Sequence, residues 1–379
     1  MAAAGHRFAQ ANVAAIYCLH GTFAGNDALG LYTELERFAP RLASSLRRGT
    51  KSVFDWLIGE TGNYTADFAE RMETALTTGA ERPIPVRLFH WAAQNHHISR
   101  ADAAVRLMDE LARVAEERET LQVPSPSRGG LGRGEEAGTR IATSTPRIQL
   151  WSHSHGGNAL ALLTNLLAAD EPTRTEFFEA AGVFHNRSRP HRTHFPVWHR
   201  VEKTLADVNH PLRGLALDIV TFGTPVRYGW DTGGFHNLLH IVNHRPHPKT
   251  PEHLAAYPPR FGKLLFGADG DFIQQLGIAG TNFPPLPIAW RTFLADRRLR
   301  TLFERGLAPE WIRTRLKRGV RVHHEGTTLL MDYADPDRSP HRHLFGHAPY
   351  TRSRWMALHC ELIAEHFYGK TPGRGIKVE

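Results

Sequence analysis

The chain has 379 residues, 41% of them hydrophobic, and carries 46 Lys and Arg against 38 Asp and Glu, a formal charge of +8. That apolar content over that length can bury a large core, which excludes a disordered or low-complexity chain and leaves one large or two ordinary domains. Two cysteines, Cys18 and Cys360, exclude a disulfide framework and a CxxC metal pattern.

Met1 to Ala11 lacks the charged-then-apolar design of a signal peptide, and the apolar run Val13 to Leu19 is too short to cross a bilayer. A reducing cytoplasm is the expected compartment, with signal-independent export left open. The first strand is Val13 to Leu19, followed by the loop His20 to Asp27. Helices are expected at Leu31 to Arg47 and Tyr64 to Thr77, then a strand at Ile84 to Trp91. The next helix, Arg100 to Glu119, sets Ala101, Ala104, Val105, Met108, Leu111, Ala112 and Ala115 on one face, a core-packing stripe. Between 122 and 146 the composition collapses into Pro, Ser, Gly, Arg and Thr, which reads as a disordered surface insert. After it come the strand Ile148 to Trp151 and a helix from Asn158. Residues 170–214, rich in His, Arg and Pro, read as a second insert and a candidate lid. Strands at Leu215 to Phe222, Leu238 to Asn243 and Thr327 to Tyr333 and a helix at Ser353 to Tyr368 complete the chain. Strands alternating with amphipathic helices predict a single α/β domain over 1–379, with a mostly parallel central sheet covered on both faces.

One motif carries chemistry. Ser152-His153-Ser154-His155-Gly156-Gly157 stands where the buried strand turns into a helix, the layout of a nucleophile elbow. The turn needs small flanking residues, which Ser152, Gly156 and Gly157 supply, and it presents the Ser154 hydroxyl above the sheet edge. A serine at a helix start also suits an N-cap. Ser125-Pro126-Ser127-Arg128-Gly129-Gly130 fits the same pattern without a preceding strand, so context separates the two.

These pieces resemble the α/β-hydrolase superfamily, on its lipase and esterase side: the strand ending in His20-Gly21, the elbow at Ser154, the strand ending in Thr221-Phe222-Gly223-Thr224-Pro225, and a histidine before the last helix. Ser152 departs from the usual glycine. The resemblance implies an α/β-hydrolase fold with lid-like inserts and a Ser, acid, His order of catalytic residues. A serine hydroxyl needs a base to remove its proton, and the base needs a carboxylate to hold its tautomer. His347, after a flexible Gly346 and near the closing helix, stands at the family's position for the base; His343 is the alternative, and His341 reads as surface. The acid is left open between Asp271 and Asp269 in Gly267-Ala268-Asp269-Gly270-Asp271-Phe272, with Asp231 a third choice. The oxyanion hole is expected from the backbone N–H of His155 and, by resemblance, of Thr22, with Gly21 allowing close approach. The His20 to Asp27 loop lacks the lysine of a phosphate-binding P-loop.

The leading expectation is a cofactor-free, metal-free serine hydrolase acting on carboxylic esters, with lipid or other apolar acyl esters as substrates. Phe195, Trp198, Trp230 and Phe235, in candidate wall segments, add to the lipid bias. Acyl transfer to another alcohol would use the same residues. A different reading is a histidine-rich metal- or lipid-binding scaffold without turnover, drawn from His185, His191, His194, His199 and His210, whose spacings match no fixed ligand pattern. The basic excess is compatible with an anionic membrane surface. The basic stretch Arg187 to Arg213 has no nucleic-acid-binding signature, so no nucleic acid is expected.

Overall fold

The computed structural model describes residues 1–21, 27, 30–78, 80, 82–122, 145–188, 195–225, 227–246, 251–255, 261–262, 270–277, 282–305, 323–334 and 340–369. Its centre is one six-stranded sheet, parallel throughout, built from β1 (Val13–Leu19), β2 (Val86–Phe89), β3 (Arg147–His153), β4 (Ala216–Phe222), β5 (Asn237–Asn243) and β6 (Thr327–Met331) in the order β2-β1-β3-β4-β5-β6. β1 and β4 are buried along their whole length; β1 therefore reads as a continuous apolar run rather than an alternating one, and β4 interrupts its own with Asp218, buried against Arg147.

Alternate residues of each strand face opposite layers. Tyr17 and Leu19 join Leu150 and Ile219 in one cluster with α5 (His97–Gln122) and α6 (Gly156–Ala168), and the stripe read from the sequence on α5 is buried there. Ile16, Cys18, Trp151 and Val220 face the other layer, formed by α1 (Ala2–Gln10), α4 (Ala66–Thr77) and the closing helix α12 (Ser353–Tyr368). The two-faced α/β architecture is as expected.

Local departures have local causes. The helix expected over 31–47 is two helices, α2 (Leu31–Glu36) and α3 (Pro40–Ile58), with Pro40 opening the second, where its missing N–H costs no hydrogen bond. Segment 170–214 forms α7 (Glu171–Ala180), α8 (Gly182–His185) and α9 (Pro196–Ala206). Phe177, Phe178, Phe184, Phe195 and Trp198 are buried in the α5 layer beside α11 (Trp290–Phe303). The segment leaves from the end of α6 and rejoins at the start of β4, so both ends lie at the amino edge of the sheet, opposite Ser154. Phe195, Trp198 and Trp230, read as wall residues, are thus core residues, and Phe235 lines an open cleft of about 650 Å³ at that same amino edge. Of the insert 122–146, residues 123–144 lie outside the described residues, as does the second serine motif. Among the described residues no helix is long and apolar enough to cross a membrane.

The strand order reverses between β1 and β3, and the carboxyl ends flanking such a reversal form a crevice in parallel sheets. It brings His20-Gly21 beside the elbow.

Candidate active site

Ser154 lies between the last residue of β3 and the first turn of α6, with φ 54°, a left-handed backbone that a side-chain-bearing residue adopts at a cost. Three hydrogen bonds hold it there: its N–H donates to Phe222 C=O (2.9 Å), while its own C=O accepts from Thr224 Oγ1 (2.8 Å) and Gly157 N–H (3.1 Å). Close approach to β1 needs residues without side chains. A Cβ on Gly156 would stand 2.9 Å from the His20 carbonyl oxygen, and one on Gly21 2.7 Å from Ser154 Cβ. Ser152 is buried in the sheet, its hydroxyl donating to Val220 C=O (3.4 Å), so the departure from glycine is absorbed inside β3, two residues before Ser154.

The acid candidate Asp271 follows β5. Its N–H donates to Asn243 C=O (2.8 Å), and its side chain is fully buried. Oδ1 accepts from the backbone N–H of Gln274 (2.8 Å), in the first turn of α10 (Phe272–Gly277). Oδ2 accepts from Tyr350 Oη (2.8 Å) and pairs with His347 Nδ1 (2.7 Å). A carboxylate cut off from water is thereby given three donors. Gly223 makes the room: it has φ +57°, and a Cβ there would lie 2.5 Å from Asp271 Oδ2 and from the Tyr350 ring. Gly346, at φ +86°, lets the histidine turn press on the acid loop, since a Cβ would come within 2.1 Å of Gly270 C=O.

His347 is buried. Its Nδ1 is engaged by Asp271, and its Nε2 has no hydrogen-bond partner among the described residues. The ring lies 4.4 Å, centroid to centroid, from that of His153, the neighbour of Ser154, and His153 Nε2 is 3.0 Å from His347 C=O. Burial, then the nearby His347, hold the His153 pKa well below the ordinary imidazole value. A neutral His153 keeps an Nε2–H for that carbonyl and adds no second cation beside the His347 ring. His155 is likewise depressed, by burial first and then by Arg100. Its backbone N–H donates to no described group, leaving a donor one residue beyond Ser154.

Tyr350 and Asn243 were not legible as site residues. The N–H of Asn243 donates to Tyr350 Oη (2.7 Å) and its Nδ2 donates to Gly346 C=O (2.8 Å), tying the end of β5 to the histidine turn. Burial, then the Asp271 charge, push the Tyr350 phenol well above its ordinary value, so it stays a proton donor to the carboxylate. The only sequence signal was its place three residues after His347.

Among the other candidates, Thr22 and Asp269 lie outside the described residues, as does the side chain of His341. Asp231 is exposed and caps a turn through Gly233 N–H (2.9 Å). His343 shapes the turn before His347, its Nδ1 accepting from Gly346 N–H (3.3 Å). In the histidine group, His185 stacks on Trp198 and meets His199 edge-on, His210 lines the amino-edge cleft, and His191 and His194 lie outside the described residues. Among the described residues no three or more His, Cys, Asp or Glu side chains are grouped to hold a metal. No protein-family model, no curated protein and no solved structure matches this chain.

Proposed function

We propose that this chain is a serine hydrolase with an α/β-hydrolase fold, cleaving carboxylic esters and favouring apolar acyl groups. The observation that carries the reading is a buried imidazole with one nitrogen on a carboxylate and the other unpartnered, packed against the residue preceding a serine in strained left-handed backbone. The sheet order supports it too, with the serine after β3, the acid after β5 and the base after β6.

In this reading His347 Nε2 takes the proton as Ser154 Oγ attacks the ester carbonyl, and Asp271 stabilises the imidazolium through Nδ1–H. The tetrahedral oxyanion accepts the His155 N–H and, on the resemblance, the Thr22 N–H. Collapse expels the alcohol, which takes the proton from His347, and water then hydrolyses the acyl-enzyme by the same route. No cofactor or metal is called for.

Hydrolysis of a short-chain p-nitrophenyl ester tests this. Ser154→Ala is expected to lower kcat about a million-fold with an unchanged circular dichroism spectrum, and a fluorophosphonate should label the wild type alone. Wild-type turnover surviving in Ser154→Ala would overturn the reading.

A further inference from the structure

Large apolar side chains stand exposed on two neighbouring segments. Phe38 is 83% and Leu42 53% exposed around the start of α3; Ile288 is 83% and Trp290 54% exposed at the entry to α11, with Phe283 and Leu286 exposed just before them. The segments are held side by side, because Arg37 donates to Thr292 Oγ1 and Thr292 Oγ1 donates to Glu34. Both lie toward the carboxyl edge of the sheet, where Ser154 stands. α2 and α3 follow the loop leaving β1, and Phe283 N–H donates to Asn95 C=O (2.8 Å) in the loop leaving β2.

Among the described residues the exposed charge around these side chains has one sign. Arg41, Arg48, Arg297 and Arg298 are exposed. The acids of the two segments are engaged inward: Glu34 on Arg37, Glu36 on Arg47 and Arg106, and buried Asp296 on Ile98 N–H. Contiguous exposed apolar surface marks an interaction site, and a basic rim around protruding aromatic and aliphatic groups matches a membrane interface with anionic headgroups. The Arg291 guanidinium over the Trp290 ring, 5.3 Å from its centroid, is a pairing suited to the headgroup level.

We propose that this face docks on an anionic lipid surface, Phe38, Ile288 and Trp290 entering the acyl layer while Arg41 and Arg297 meet lipid phosphates. A second copy of the chain is a poorer occupant, since a two-fold contact would bring one arginine-rimmed face against another of the same sign. A helical peptide is disfavoured as occupant because the apolar groups stand out from the surface rather than line a groove that could seat it.

The test is co-sedimentation with phosphatidylcholine vesicles with and without phosphatidylglycerol. Binding is expected only with the anionic lipid and should fall as salt rises. Phe38→Ser/Ile288→Ser and, separately, Arg41→Glu/Arg297→Glu are each expected to weaken it about tenfold or more. None of these residues lies in the catalytic machinery, so hydrolysis of a soluble ester should be unchanged, and Ser154→Ala protein should pellet like the wild type. The docking can thus fail with the hydrolase reading intact, and the reverse. Lipid binding that is absent or insensitive to both double variants would overturn the proposal, as would a dimer that the Phe38→Ser/Ile288→Ser variant dissociates. Equal binding to polyglutamate, unaffected by loss of Phe38 and Ile288, would reassign the face to an acidic polypeptide.

Discussion

Tyr350 donates a second hydrogen bond to the carboxylate oxygen that His347 uses, and removing it separates holding the carboxylate from merely burying it. Tyr350→Phe keeps the ring but strips Asp271 Oδ2 of one donor and leaves the Asn243 N–H without its acceptor. Stability should drop by about 1–3 kcal/mol, and kcat on a soluble ester should fall on the order of tenfold as the acid loosens its hold on the base. Denaturant titration and steady-state kinetics check the two effects, and unchanged values for both would deny Tyr350 this role. The serine motif was legible because strand, small residues and helix are contiguous there, whereas the choice between Asp269 and Asp271 needed one further signal. Asp271-Phe272-Ile273-Gln274 is an acidic N-cap spaced to its N3 residue, and Asp271 Oδ1 does accept the Gln274 N–H. Apart from its place three residues after His347, nothing local marks Tyr350, whose partner Asp271 is 79 residues away. Phe195 and Trp198 were misread for a related reason, since an aromatic ring in an insert looks the same whether it lines a site or fills a core.

Two elements, β1 over Val13–Leu19 and the helix over Ser353–Tyr368, run as the apolar pattern predicts, because each is bounded by polar or turn residues, the strand being apolar throughout and the helix burying one face. The N-terminal helix α1 escaped notice: its alanine-rich stretch is short, and only Ala4, Gly5 and Phe8 are buried. It crosses α4 so closely that a Cβ on Gly5 would stand 2.1 Å from Leu76 C=O. Gly5→Val should therefore prise the two helices apart and cost about 1–3 kcal/mol, the usual range for overpacking, while leaving the activity of the folded fraction intact. A melting temperature equal to wild type would contradict that crossing. The helices of 170–214 were hidden in the same way, by His, Arg and Pro that mask the spacing of Phe177, Trp198, Val201 and Leu205.

Acid should unfold the protein through its neutral buried histidines. Burial lowers His240 and His359 to about 3, and His153 and His155 well below their ordinary value. Each such group binds fewer protons folded than unfolded. Its contribution is whole above the unfolded value of about 6.5 and is lost as pH falls from there toward the folded value, at about 1.4 kcal/mol per pH unit for each group. The melting temperature should fall steeply below about pH 6, and His359→Gln should make the decline shallower. A melting temperature that stays level from about pH 7 to about pH 5 would refute this. The parallel, two-faced sheet was readable from alternating strands and helices, but the order of its strands was not, because no short window records which strand a returning chain will pair with. For the same reason the +8 charge suggested an anionic partner without a location, since Arg41 and Arg297 flank one apolar face only in the folded chain. Strand order also governs timing. Along the polypeptide the hydroxyl comes at 154, the carboxylate at 271 and the imidazole at 347, and the last two meet only once β5 and β6 lie side by side. A chain still emerging from the ribosome would display its serine long before it owned a base, so the proposed hydrolase would stay inert until residue 347 had emerged and docked beside Asp271.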